Sequence, residues 1–401
     1  MQIHQRSLSQ TFIRFFDSEK LGGILILVLT LVSMAIANSP ISKPYLDFWQ
    51  LHILGLSIEH WVNDGLMAIF FLFIGLELER ELYSGELSNF RNALLPIFAA
   101  AGGVMLPALI HFGLNVDTPT QSGMGIPMAT DIAFALGVLA LLGSSVPASL
   151  KVFLTALAVM DDLLAIIVIA LFYTAELSPT YLLAATGVLA LLILMNRILR
   201  IHALLPYLIG GACMWFLMLK SGVHATIAGV VLAFAIPYSS KQEEQESPSH
   251  QLEHFLHKPV AFLILPIFTL ANTGINIGSN WTQELSSANS LGILAGLIIG
   301  KPLGITLLVT IAVLLGISKL PPDLNWKHIV GAGLLGGIGF TMSIFITNLA
   351  FTGNLEVINA SKIAIFLASL TAGILGFLWL KLFGKNRASA FEDTAQSSES
   401  S

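Results

Sequence analysis

Charge is what this chain has little of. Asp, Glu, Lys and Arg make up 11% of its 401 residues, against roughly 25% in an average soluble domain. A water-exposed surface around a body of this size needs more charge, so a soluble globular fold is excluded. Cysteine is almost absent as well. Cys213 stands alone among Gly211, Ala212, Met214 and Trp215, which excludes an intrachain disulfide framework and a cysteine-built metal centre. The reading includes no cofactor and no nucleic-acid partner.

In place of charge the chain carries long apolar runs. Residues 22–37, 93–113, 163–173, 182–195 and 291–300 contain no charge, and several lengthen into stretches near 20 residues, the length that crosses a bilayer. In hydrocarbon every backbone N–H and C=O must find a partner within its own segment, so these stretches are helices. The expected fold is an all-α integral membrane protein of twelve transmembrane helices. They lie near 21–37, 59–84, 93–113, 122–142, 149–174, 180–199, 204–219, 222–238, 256–276, 290–315, 328–350 and 358–383. The longest internal connections are 38–58 and 237–254. The expected organisation is a cytoplasmic segment 1–20, one transporter domain 21–384 and a disordered cytoplasmic tail 385–401.

Basic residues orient these spans. With the N-terminus inside, Lys43, Lys220 and Lys362 fall on one side and Lys301 within a span, while the remaining fifteen of 19 Lys and Arg fall on the other. Short loops rich in Lys and Arg stay in the cytoplasm, so both termini are expected there. The first span also has the basic start and Ala35-Ile36-Ala37 ending of a cleavable signal. Cleavage would leave eleven spans with the same loop charges. Because the span runs directly out of Asp17-Ser18-Glu19-Lys20, retention is the expectation.

Several charges fall inside spans, where an ionisable group is costly unless paired or hydrated and so marks function. They are Asp131 in the fourth span, the adjacent Asp161 and Asp162 in the fifth, and Lys301 in the tenth. One buried aspartate has a plain alternative, a helix–helix hydrogen bond. Three aspartates and a lysine do not. Neighbours on a helix point about 100° apart, so one of Asp161 and Asp162 faces a cavity most directly and the other sits beside it. Burial and a second carboxylate both disfavour the charged form of a carboxyl group, so such a group takes up protons readily. It holds a proton or a hard cation, not both, and that competition yields exchange. Thr130 and backbone carbonyls offer further oxygen ligands.

Two spans also carry helix-breaking residues at corresponding places. The fourth has Gly123, Gly125 and Pro127 before Thr130-Asp131. The eleventh has Gly331, Gly333, Gly336, Gly337 and Gly339 before Thr341 and Ser343. Such pairs point to discontinuous helices at a binding site, and spans three to five against ten to twelve to an inverted repeat. Close packing of small residues is the alternative. Half-helix ends carry partial charges, for which Asp131 suits the N-termini and Lys301 the C-termini.

At these residues the sequence resembles the NhaA family of sodium/proton antiporters. The resemblance rests on Ala129–Gly137, Asp161-Asp162-Leu163, Lys220–Thr226, Gly300–Gly304 and Gly337–Ser343. It implies a twelve-helix fold with a cytoplasmic funnel ending at the paired aspartates. Asp162 would be the main cation and proton carrier and Asp161 its partner, ion-paired with Lys301 in one state. Thr130 and Asp131 would line the crossing of the broken helices. It further implies electrogenic exchange of two protons for one Na⁺ or Li⁺, activation at alkaline pH, and a homodimer in the lipid of a bacterial inner membrane. The pH-sensing candidates are Glu77, Arg80 and Glu81 at the end of span two, Glu253, His254 and His257 before span nine, and His224. The alternatives are interfacial solvation for the first six and a packing hydrogen bond for His224. The family often has a basic residue where this chain has Glu79, which alters the local charge balance.

Two rival functions weigh less. Intramembrane aspartyl proteases need two aspartates on facing helices, and here two are adjacent on one. A symporter for organic anions needs a cavity rich in Asn, Gln, Ser and Thr, which the central spans lack.

Overall fold

The computed structural model describes residues 21–174, 177–239, 247–278 and 281–384. The expected terminal segments 1–20 and 385–401 lie outside the described residues. The described chain is helical apart from loops and one two-stranded hairpin. In order, α1 is Leu21–Ala37, α2 Ser42–Trp49, α3 Ile58–Tyr83 and α4 Phe90–Leu114. Then come α5 Ile132–Leu141, α6 Ala148–Phe172, α7 Pro179–Arg197, α8 Leu204–Ser221 and α9 Ile227–Ala233. The last are α10 Pro248–Asn272, α11 Ala288–Leu314, α12 Trp326–Gly336, α13 Phe340–Ala350 and α14 Leu355–Phe383.

Among the described residues nine helices are long and apolar enough to cross a membrane, or eleven if each of two bent pairs is one span. The difference from twelve falls at residues 222–238, where only the seven-residue α9 is helical. The polar start of that stretch explains it. Gly222 closes α8 in the left-handed region (φ 85°), Val223 N–H donates to Ser221 Oγ, and His224 Nδ1 pairs with Thr226 Oγ1. These local bonds compete with helix until Ile227. Conversely, α10 begins earlier than its apolar run, because Pro248 occupies the first turn and Ser247 Oγ accepts from His250 N–H. The connection 38–58 holds α2 and a hairpin pairing His52 with Ser57.

The chain forms two compact units. One contains residues 90–164 and the chain from 279 onward, with the start of α1, and the other contains 25–89 and 165–278. In the first unit α4 and α11 touch backbone to backbone. A Cβ on Gly102 would stand 2.0 Å from the Gly304 carbonyl oxygen, so only glycine permits this approach. The contact lays Gly103 against the stem of Lys301 and fixes the depth of that side chain. In the second unit α3 and α9 approach in the same way, Gly229 lying over the Ala68 carbonyl.

Candidate functional site

The site begins where the backbone leaves helical geometry. Residues 121–128 form a tight helical segment, Ala129 and Asp131 are extended, and α5 follows. Between α12 and α13 the chain bends by 46°. The backbone groups released there find partners across the two breaks. Asp131 N–H donates to the Ile338 carbonyl (2.6 Å), and Ser343 Oγ donates to the Ile126 carbonyl (2.7 Å). Gly337 is required where the second break packs on α11, since a Cβ would stand 2.4 Å from the Leu297 carbonyl oxygen.

Asp131 sits at the N-termini of two helices. Its Oδ1 accepts from Phe134 N–H of α5 (3.0 Å). Its Oδ2 accepts from Thr341 N–H (3.1 Å) and Thr341 Oγ1 (2.6 Å) of α13. A carboxylate there satisfies orphan donors and offsets the positive helix ends. Lys301 follows a π-helical turn, Gly296–Gly300, a local widening common at functional positions. Its Nζ donates to the Met128 carbonyl, at the C-terminal end of the 121–128 segment, and pairs with Asp161 Oδ2 at 2.7 Å. Asp161, Asp162 and Lys301 all have no exposed surface. Thr130 Oγ1 lies 2.6 Å from Asp161 Oδ2 and 2.9 Å from the Gly336 carbonyl, which places two acceptors around one hydroxyl proton.

Thr130, Asp161 and Lys301 thus form one bonded centre, with Asp162 beside it. Asp131 adjoins it through its chain neighbour Thr130, and its carboxylate accepts from Phe134 and Thr341. Sequence reasoning gave Asp161 as the partner of Lys301 in one state, by resemblance, and the structure places the two 2.7 Å apart. It passed over Thr341 as a site residue, although the hydroxyl beside the glycine run was a legible signal. It passed over the Met128 carbonyl for want of one. Among the described residues no group of three or more His, Cys, Asp or Glu has metal-holding geometry. The oxygen donors here are two carboxylates, a hydroxyl and carbonyls, a hard set suited to alkali cations.

A second cluster lies in the other unit. Arg80 Nη1 meets Glu253 Oε1 at 2.9 Å, and its Nη2 lies 3.1 Å from Glu81 Oε1 and 3.6 Å from Glu77 Oε1. The expected histidines are placed differently. His254 is exposed, and His257 meets the edge of the Phe73 ring. The helix from Pro248 turns His250 instead toward Glu253 (3.7 Å), because residues three apart share a face. Glu79 is buried and accepts from Ser249 Oγ at 2.8 Å. At the other end of α3, Asp64 lies between His60 (2.8 Å) and His224 (3.6 Å). His224 is therefore part of a separate group, and Asp64 was not foreseen.

Together these features define a class, a multi-pass helical membrane protein with a buried ionisable centre built of hard oxygen donors. Residues 13–380 match the family described as Na+/H+ antiporter 1. Curated relatives agree. A Na(+)/H(+) antiporter NhaA from Dechloromonas aromatica (strain RCB) is 70% identical over 382 residues, covering 95% of this chain and 98% of that protein. One from Cytophaga hutchinsonii is 58% identical over 375 residues, covering 94% and 96%. A solved structure, the sodium proton antiporter MjNhaP1 from Methanocaldococcus jannaschii at pH 8, shares the fold. Its TM-score is 0.53 at 15% identity, over 94% of this chain and 99% of that one. The chain belongs to the Na+/H+ antiporter 1 family, whose members are transporters and not enzymes. It is a multi-pass bacterial membrane protein.

Proposed function

We propose that this chain is a secondary active transporter that extrudes Na⁺ or Li⁺ in electrogenic exchange for protons, by competition at Asp161 and Asp162. The observation that carries this is the fully buried pair of Lys301 Nζ and Asp161 Oδ2. A charge buried in this way persists only if compensated, and here the compensating cation is a lysine that can lose its proton. An arriving Na⁺ takes the place of the ammonium beside Asp161, with Asp162 as its second carboxylate. Lys301 and Asp162 each release a proton, so two protons leave for one Na⁺ and the transported charge is unequal. Reprotonation of both groups expels the ion. Asp161 stays ionised through this cycle, and the Thr130 hydroxyl donates to it beside Lys301. Asp131 and Lys301 balance the helix ends, which keeps the backbone of two discontinuous spans open to the ion.

The same reading assigns twelve crossings to a single transporter domain, 21–384, counting residues 222–238 as the eighth. Both termini are cytoplasmic, in the inner membrane, and the protein is a homodimer. The cluster around Arg80 (Glu77, Glu81 and Glu253), with His250, Glu79, His254 and His257 nearby, tunes the response to internal pH. His224 with Asp64 forms a second titratable group. The test is Na⁺-induced collapse of a pH gradient in everted vesicles. Asp162→Asn should abolish it, and full exchange in that variant refutes the carrier role.

A further inference from the structure

One buried titratable group stands apart from the ion-pair centre. His111, near the end of α4, has no exposed surface, and its ring ties three helices together. The order of donors and acceptors in this tie is fixed. Ser361 Oγ of α14 donates to the Val357 carbonyl (2.7 Å), and Asn289 Nδ2 of α11 donates to Ser361 Oγ (2.8 Å). Asn289 Oδ1 therefore faces His111 Nε2, at 3.1 Å. An amide oxygen only accepts, so Nε2 carries the imidazole proton. One turn on, Asn115 Nδ2 donates to the His111 carbonyl (2.8 Å) and to the Ala288 carbonyl at the start of α11 (3.1 Å). Its Oδ1 accepts from Thr120 Oγ1 (2.7 Å), immediately before the 121–128 segment.

Missing side chains make room for the ring. A Cβ on Gly123 of the segment would stand 3.0 Å from His111 Cε1 and 3.2 Å from Asn289 Oδ1, and one on Gly292 of α11 would stand 2.8 Å from His111 Cδ2. The imidazole is thus clasped between the segment and α11. The same two elements meet twice more. A Cβ on Gly296 would stand 2.6 Å from Pro127 Cβ, and Lys301 Nζ of α11 donates to the Met128 carbonyl that ends the segment. His111 and Asn289 therefore hold one end of this seam and the ion pair holds the other. Along α11, Asn289 to Lys301 rises about 18 Å, so His111 does not reach an ion at the centre. It acts there through the segment, because buried polar groups bonded in series keep one rigid arrangement.

We propose that His111 and Asn289 are positioning residues for the exchange: their bond holds the 121–128 segment in place along α11 and so sets where the Met128 carbonyl stands for the arriving cation. This rests on the reading of the buried centre as the Na⁺ site. Without the bond the segment shifts, the Met128 carbonyl leaves its place beside Lys301, and Na⁺ binds more weakly.

The test uses the full-length protein in everted vesicles at one alkaline pH, where the Na⁺ concentration for half-maximal dequenching is separated from the maximal response. The melting temperature of the purified protein reports stability independently. His111→Leu should raise the half-maximal concentration about tenfold, the weight of one buried polar partner left unsatisfied. His111→Gln, which presents an N–H near the place of Nε2, should return it toward wild type. Asn289→Leu should match His111→Leu, and the double variant should be no worse than either, because both remove the same bond. As a structural control, Tyr207→Phe deletes the hydrogen bond from a buried α8 hydroxyl to the Ile201 carbonyl. It should lower the melting temperature without moving the half-maximal concentration. If His111→Leu does not reach the membrane, Ser361→Ala removes the acceptor of the Asn289 amide without added bulk and should raise the half-maximal concentration too. An unmoved half-maximal concentration in the His111 and Ser361 variants, with only the maximum or the melting temperature lowered, overturns the proposal. So does a His111→Gln no better than His111→Leu. A wild type without Na⁺-dependent exchange refutes the functional reading itself, and the positioning role falls with it.

Discussion

Lys301 and Thr130 show how much of the centre depends on single atoms. Removing one member of a buried ion pair leaves the other charge uncompensated, at a cost of about 3–5 kcal/mol. Lys301→Met keeps the length of the side chain and removes its charge. It should lower the melting temperature in detergent as well as Na⁺-dependent proton movement, and a variant normal in both would remove Lys301 from the mechanism. Thr130→Val deletes the hydroxyl between Asp161 and Gly336 at about 1–3 kcal/mol for the partner left unsatisfied. Thr130→Ser should restore Na⁺ affinity while Thr130→Val does not, measured as the Na⁺ concentration for half-maximal dequenching. In the Arg80 cluster, Arg80→Gln should shift the pH profile of activity more than its maximum. His250→Ala should shift it more than His254→Ala, because His250 Nδ1 lies 3.7 Å from Glu253 Oε2.

Residue chemistry was the most legible layer. Charges inside apolar runs are rare enough that Asp131, Asp161, Asp162 and Lys301 could be read from composition and spacing alone. Which of them pair could not be read, because that depends on how α6 and α11 rotate against the 121–131 segment. The histidines of the second cluster were misplaced for a related reason. The true start of α10 is set by Ser247 and Pro248, not by the apolar run, and those capping residues decide which face His250, His254 and His257 occupy.

At the scale of elements, glycines decide what approaches what. A Cβ on Gly102 or Gly337 would fall 2.0 or 2.4 Å from a backbone carbonyl oxygen, which cannot swing aside, whereas one on Gly187 of α7 would meet nothing within 4 Å. Overpacking of this kind costs about 1–3 kcal/mol. Gly102→Ala and Gly337→Ala should therefore lower thermal stability and transport, while Gly187→Ala leaves both near wild type. Equal tolerance at all three positions would mean the close approaches do not hold the site. The sequence marked the glycine-rich stretches but not the partner of each, since Gly102 and Gly304 are some two hundred residues apart. The seven-residue α9 was read as a full span because its apolar length outweighed His224 and Thr226 in the reading, although these polar residues set where the helix starts.

For the whole molecule, apolar runs gave the membrane class and the approximate span boundaries. The division into two compact units left no mark in the pattern of spans, because two of the four passages of the chain between them fall within helices, α1 and α6. The buried centre lies wholly in one unit and the Arg80 cluster wholly in the other. The central claim is competition between Na⁺ and protons at one buried pair of carboxylates. The most direct measurement of it is dequenching of a pH-gradient dye in everted vesicles across several pH values, with Na⁺, Li⁺ and K⁺ in turn. The account predicts that the Na⁺ or Li⁺ concentration for half-maximal response rises as pH falls, with the saturated response kept, and that Asp162→Asn abolishes the response. A half-maximal concentration independent of pH, or exchange surviving in Asp162→Asn, would contradict it.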